Sequence, residues 1–120
     1  MVRPLEFART AGNIKAPCYN LVAAWLRHHG APNVPSESQA RRRWIEDGSE
    51  AGARWAAAQI GLVERLPRMS GDVCLIAQRD AEPLLGIVLD DGFSVARAFG
   101  RMFVGRAHLL VSWGLPCRQS

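Results

Sequence analysis

The chain has 120 residues, which is enough for one domain with a single hydrophobic core and too short for two. Apolar residues make up 48% and charged residues 22%, as is ordinary for a globular domain, and the net charge is +4. No apolar run approaches the roughly 18 residues that a membrane-spanning helix needs. We therefore expect a soluble protein, made in the cytoplasm, with no membrane insertion.

The three cysteines, Cys18, Cys74 and Cys117, are odd in number and widely spaced. This pattern excludes a disulfide framework and a closely spaced zinc site. The adjacent carboxylates Asp90 and Asp91 lack further oxygen ligands nearby, so they predict a turn rather than a cation site. We expect reduced thiols, no bound metal and no cofactor.

Residues 1–12 have no hydrophobic period, which predicts a short N-terminal arm. The next segment predicts a helix that begins at Pro17 and ends at Gly30, since proline suits the first helical position and glycine the position after the end. Apolar residues in this helix recur at helical spacing and predict one buried stripe: Cys18, Leu21, Val22, Trp25 and Leu26.

Two further helices are predicted in the next 30 residues or so. The first begins with a capping box of Ser36 and Gln39 and ends at Gly48. The second begins after a cap at Ser49 and ends at Gly61.

The second half of the chain predicts strands. Residues 73–78 form a continuous apolar run, short enough for a buried strand, and residues 83–99 predict two strands joined by a turn at 90–92. Residues 101–105 predict a further strand, whereas residues 106–115 fit either a short helix or a strand.

Helices followed by strands indicate the α+β class, with the N-terminal helices packed on a small antiparallel sheet. We expect one domain over residues 13–115 and a C-terminal tail at 116–120.

One predicted helix carries a candidate surface for protein contact, because tryptophan and arginine are enriched among the residues that anchor interfaces. The alternative is a solvated basic face with one buried tryptophan. The basic run has no interleaved aromatic residues, so we do not expect nucleic-acid binding. The segment consists of Arg41, Arg42, Arg43 and Trp44.

The order of these segments resembles the NlpC-type branch of the papain-like cysteine peptidases, and within it a family of phage- and prophage-encoded tail-associated proteins. The resemblance implies a degenerate papain-like fold in a protein encoded among tail-tip and baseplate genes. The segments that carry it are APCYNLVAAW (16–25), SGDVCLIA (70–77), LLGIVLDDG (84–92) and RMFVGRAHLLVSW (101–113).

Several positions depart from the NlpC pattern. Pro17 stands where the family has an aspartate before the cysteine, and Leu84 stands where the family has its general-base histidine. The following strand offers Ser94 and Arg97 where the third polar group is expected, and neither is an obvious match. The resemblance therefore implies a nucleophile position at Cys18 without its usual base.

Cys18 has two interpretations. A helix N-terminus favours a thiolate, and a neighbouring imidazolium would complete the activation of a nucleophile. His28 and His29 lie roughly 15 Å further along the same helix at 1.5 Å per residue, which leaves His108 as the candidate base. In the alternative, Cys18 is a small buried apolar residue and His108 has no chemical role.

Two functions follow from the resemblance. In the first, the chain is not an enzyme but a structural component of a phage or phage-like tail tip or baseplate, located in the virion tail and bound to other tail proteins. In the second, it is a cysteine hydrolase that cleaves peptide bonds of peptidoglycan. Cys18 would then be the nucleophile, His108 the base, and backbone N–H groups of the first helical turn the oxyanion donors.

Overall fold

A computed structural model describes residues 3–10, 18–98 and 101–116. This part of the chain folds into helices followed by a six-stranded antiparallel sheet, which confirms the predicted α+β class. The helices are α1 (Pro4–Thr10), α2 (Tyr19–His28), α3 (Glu37–Asp47) and α4 (Ser49–Ile60). The strands are β1 (Val63–Glu64), β2 (Val73–Gln78), β3 (Ala81–Val88), β4 (Phe93–Ala98), β5 (Arg101–Arg106) and β6 (Leu109–Gly114).

The N-terminal segment contains a helix where the sequence predicts an irregular arm. Ala8 of α1 is fully buried, and Arg97 Nε donates a hydrogen bond to the Ala8 carbonyl over 2.9 Å. Phe7 meets the Trp25 ring edge-on, with the ring centroids 5.3 Å apart. A helix of 7 residues is too short to be stable alone, so these tertiary contacts sustain it.

The structure confirms the predicted glycine after α2 and the predicted capping box of α3. Gly30 has a positive φ of 75°, and Ala31 N–H donates to Leu26 O, as in a Schellman motif. The capping box of Ser36 and Gln39 is present at the start of α3. The predicted start of α2 at Pro17 is wrong by two residues, because Cys18 is the N-cap and Tyr19 the first helical residue; Pro17 itself lies outside the described residues.

The predicted cap of α4 is wrong by one residue. Gly48 occupies the N-cap position with a positive φ of 94°, Ser49 is the first helical residue, and no side chain caps the helix. A close helix contact sits just beyond: a Cβ on Gly52 would lie 2.8 Å from the Trp44 Cα. Glycine at this position therefore lets α3 and α4 approach each other closely.

The strand order is β1-β6-β2-β3-β4-β5, with every pair antiparallel. The ambiguous segment 106–115 provides β6, which lies between β1 and β2, so its pairing on both edges decides for a strand. The predicted turn at 90–92 is a short 3-10 turn between β3 and β4, in which Asp91 adopts a positive φ of 59°. No helix of the described residues is long and apolar enough to cross a membrane.

Alternate residues of the sheet enter two separate apolar clusters. Val73 and Leu75 of β2 pack with the helices on one face. Cys74 and Ile76 belong to a second cluster on the opposite face. The helices therefore cover one side of the sheet, and Cys74 is a core residue, in agreement with the buried strand predicted at 73–78.

The pairing of β3 with β4 is short. It includes only Ile87 with Val95 and Val88 with Ser94, although β4 pairs with β5 along all 6 of its residues. At Gly86 the strands are close, because a Cβ there would lie 2.6 Å from the Val95 carbonyl oxygen. Before Gly86, β3 pairs with β2 but has no ladder partner in β4. This stretch, unpaired on its β4 side, borders the candidate site.

Candidate functional site

Cys18 lies where α2 meets the unpaired stretch of β3. Its Sγ atom accepts a hydrogen bond from the Leu85 backbone N–H over 3.2 Å, and the side chain is buried. Two residues further on, Ile87 makes its ladder contact with β4. Backbone N–H groups of alternate strand residues point to the same side, so the N–H of Leu85 faces the β4 side as that of Ile87 does. The Cys18 sulfur accepts the hydrogen bond that a carbonyl of β4 would otherwise accept from Leu85.

A cavity of about 430 Å³ opens beside Cys18, between the helices and the ends of β3 and β4. Its wall is almost entirely apolar, and small side chains on the helices leave the space open. Three charged residues complete the lining: Glu37, Arg41 and Glu82. The apolar wall includes Tyr19, Trp44, Ala53, Ala56, Leu84 and Leu85.

The environment of Cys18 holds its thiol in the neutral form. Burial raises the pKa of the thiol, and the Leu85 N–H, which donates a hydrogen bond to the sulfur, opposes this, as do the nearby backbone N–H groups at the start of α2. Burial is the larger effect, so the pKa lies above its ordinary value. A neutral thiol is a poor nucleophile.

The structure does not bring His108 to this cavity. His108 is exposed in the connection between β5 and β6, where its carbonyl accepts a hydrogen bond from Ala77 N–H over 2.9 Å. His28 and His29 lie at the far end of α2, as the sequence predicts. Among the described residues that line the cavity, none is a histidine.

The candidate contact segment on α3 has two environments. Trp44 is half-buried, packs against the core and lines the cavity. Arg41 forms an ion pair with Glu37, and Arg42 is exposed. Arg43 lies 3.5 Å from Asp47 and also covers the Trp55 ring, with its guanidinium carbon 4.9 Å from the ring centroid.

Sequence reasoning missed Tyr19, which supports the wall of the cavity. Its hydroxyl donates to the Pro35 carbonyl over 2.5 Å, and burial raises its pKa to about 12 despite the nearby Arg27 charge. This bond fixes the connection that leads into α3. The alanine-rich sequence of α4 was the available sign of an open space, because small residues on a buried face leave room beside it.

Leu84 belongs to both faces of the sheet. It packs against both apolar clusters and lines the cavity beside Cys18. It also lines a second cavity, of about 230 Å³, together with Phe103 and Ala96. The described residues contain no cluster of side chains suited to hold a metal ion.

Compared with descriptions of known protein families, with curated proteins and with solved structures, the chain has no significant match.

Proposed function

We propose that this chain is a structural component of a phage or phage-like tail tip or baseplate, built on a degenerate papain-like fold and binding other tail proteins. The resemblance described above supplies the biological setting. It also assigns the nucleophile position to Cys18 and the position of the general base to residue 84.

One observation carries the non-enzymatic part of this proposal. The cavity wall beside Cys18 is almost entirely apolar, with Leu84 and Leu85 at the strand where a hydrolase of this type would need an imidazole. Cys18 accepts a hydrogen bond and keeps its proton, since burial raises its pKa. On this proposal, Cys18 and Leu84 serve packing and binding, not catalysis.

The first test measures the alkylation rate of Cys18 against pH in the full chain. Cys74, whose pKa burial raises to about 12, is the buried internal reference. We expect slow alkylation of Cys18 at neutral pH. The rate should rise only when the pH approaches the pKa of an ordinary thiol or exceeds it. Rapid alkylation that persists below pH 7 would reveal an activated thiolate and contradict a non-enzymatic protein.

The second test concerns location. Particles purified after prophage induction in the source organism should contain the chain, detected by mass spectrometry of tail fractions. Detection in the lysate with none in purified tails would overturn the structural role. The alkylation result does not affect this outcome, so the two parts of the proposal fail separately.

A cysteine hydrolase is the second candidate, because Cys18 lies at the N-terminus of α2 beside an open cavity, and its sulfur accepts a backbone hydrogen bond from Leu85. In that reaction the thiolate attacks a peptide carbonyl, the C–N bond breaks, and the amine leaves with a proton. Water then releases the acyl group from sulfur. Backbone N–H groups of the first turn of α2 would stabilise the oxyanion of each step.

The hydrolase is tested on purified peptidoglycan by the release of new amino groups. Wild-type protein should release them, and Cys18→Ala should not, if this candidate is correct. His108→Ala should leave the release unchanged, because His108 does not line this cavity. Equal release by wild type and Cys18→Ala would exclude Cys18 catalysis.

A further inference from the structure

We propose that the cavity beside Cys18 binds a short extended segment of a partner protein, with a bulky apolar side chain inserted between α3, α4 and β3 and a basic residue next to it. This inference rests on the proposed function, in which the chain binds other proteins, and names the chemistry that its partner presents.

The backbone of β3 favours an extended peptide as the occupant. The backbone N–H and C=O of Leu85 point away from β2, toward the side where β4 lies, but Leu85 has no ladder partner in β4. The backbone carbonyl of Pro83, two residues earlier, points to the same side. Leu85 uses its N–H on Cys18, and Pro83 has none, so a segment bound along this side of β3 would find backbone acceptors and no free backbone donor at these two residues. An extended segment that donates its own N–H groups would satisfy them, as in other cases of strand addition.

The shape and lining of the cavity favour an apolar side chain. A volume of about 430 Å³ lies within the range of ligand pockets, and it exceeds what one bulky side chain requires. Ala53 and Ala56 project from α4 toward this space, and Trp44 supplies an aromatic surface from α3. Burial of an apolar group here removes hydrocarbon on both sides from water, which is the main driving force of such binding.

The charges at the cavity favour a basic neighbour. Arg41 is already paired with Glu37. Glu82 is exposed and has no ion-pair partner among the described residues. The lining therefore carries one uncompensated negative charge, beside which an arginine or lysine of the partner is stabilised.

The experiment titrates the isotopically labelled full chain with blocked pentapeptides and follows its amide resonances. The probe is acetyl-Thr-Arg-Phe-Arg-Thr-amide. We expect saturable shifts centred on Leu84, Leu85 and Ala98, at least tenfold weaker binding when phenylalanine is replaced by alanine, and several-fold weaker binding when both arginines become glutamates. Equal binding of the three peptides, or shifts elsewhere, would overturn the proposal.

Two further probes separate the kinds of occupant. A peptide N-methylated at the phenylalanine and the arginine that follows lacks the N–H donors and should bind at least several-fold more weakly. Phenethylammonium carries the ring and the positive charge without a peptide backbone. If it binds as tightly as the pentapeptide, the cavity is a small-molecule site and the peptide proposal is wrong.

Matched variants place the site. Ala56→Leu extends a side chain into the cavity and should weaken binding at least tenfold, while Ala58→Leu, on the exposed side of the same helix, should leave it unchanged. Glu82→Gln should remove the preference for arginine, and Glu46→Gln on α3 should not. If Ala56→Leu fails to fold, protection of Cys18 from alkylation by the bound pentapeptide in the wild-type chain tests the same site, and unaltered alkylation at saturation contradicts it.

Failure of this inference differs from failure of the proposed function. A chain found in purified tails that binds none of the peptides would keep its structural role and use another surface. A chain absent from tails that binds the pentapeptide in this cavity would lose that role and keep the peptide site.

Discussion

Single side chains fix the geometry of the cavity wall, and Tyr19 is the clearest example. Its buried hydroxyl spans from the first residue of α2 to the Pro35 carbonyl, just before α3 begins. Arg27 Nη2 also donates to that carbonyl, over 3.3 Å. The carbonyl therefore keeps one donor if the tyrosine hydroxyl is removed.

Tyr19→Phe should lower the free energy of unfolding by about 1 kcal/mol, the usual worth of one buried hydrogen bond. Urea denaturation measures the change. Tyr19→Leu, which also removes the ring, should cost more. No change in Tyr19→Phe would mean that this bond does not hold the connection to α3.

At the other end of α2, His29 lies against Trp25, with their ring centroids 4.1 Å apart. Burial lowers the pKa of His29 below 6.5, and the adjacent His28 lowers it further. The folded state therefore binds this proton less readily than the unfolded state. Its contribution to stability is complete above pH 6.5 and is lost as the pH falls through that value toward the folded pKa.

An NMR titration of the imidazole resonances should place the pKa of His29 below 6.5. In His28→Gln the pKa of His29 should rise, since one positive neighbour is gone, yet stay below 6.5 because the contact with Trp25 remains. A pKa of His29 above that of a free imidazole would contradict this account.

Among the elements, β3 is the one whose neighbours change along its length. It is paired with β2 from Ala81 to Ile87 and with β4 only at its end. Gly86 sits where the β4 pairing stops, and its missing side chain leaves room for the Val95 carbonyl and the Ile76 side chain. Gly105 in β5, by contrast, has open space where a Cβ would stand.

Gly86→Ala should therefore destabilise the protein by about 1–3 kcal/mol, as overpacking of a filled interior does. Gly105→Ala is the matched control in another strand. It should be neutral or stabilising by up to about 1 kcal/mol, because alanine restricts the unfolded chain. Thermal or urea unfolding of the pair decides, and equal effects would show that the close approach at Gly86 is not maintained in solution.

The elements also show what the sequence could and could not predict. The buried stripe of α2, the capping box of α3 and the buried strand β2 could be predicted, because each depends only on residues that are close together in the sequence. Helix α1 and strand β6 needed tertiary partners, on the core around Trp25 and between two other strands. The cavity could not be predicted, since it depends on where pairing between β3 and β4 ends.

The whole molecule is compact, with a radius of gyration of 13.1 Å, close to the roughly 14 Å expected for a chain of this length. Its parts are held unequally. The central strands β2 and β3 contribute to both apolar clusters, whereas α1 is attached through a few contacts, among them the bond from Arg97 to Ala8. We expect α1 to open locally before the sheet does.

Hydrogen exchange should find faster exchange in α1 than in α2 or β2. Arg97→Ala should speed exchange in α1 by about tenfold or more, the effect of losing one hydrogen bond from a charged donor. Exchange in β2 should not change. Arg101→Ala, an exposed residue of β5, is the control, and uniform acceleration throughout the chain would mean that α1 opens only with global unfolding.

The Leu84 side chain is shared by two cavities, one on each face of the sheet. It forms part of the wall of the cavity beside Cys18 and part of the wall of the cavity beside Phe103. A ligand that displaces this side chain from one chamber changes the size of the other. Thermodynamic linkage makes that influence mutual, so occupancy of either chamber would tune affinity in its neighbour across the thickness of a single sheet.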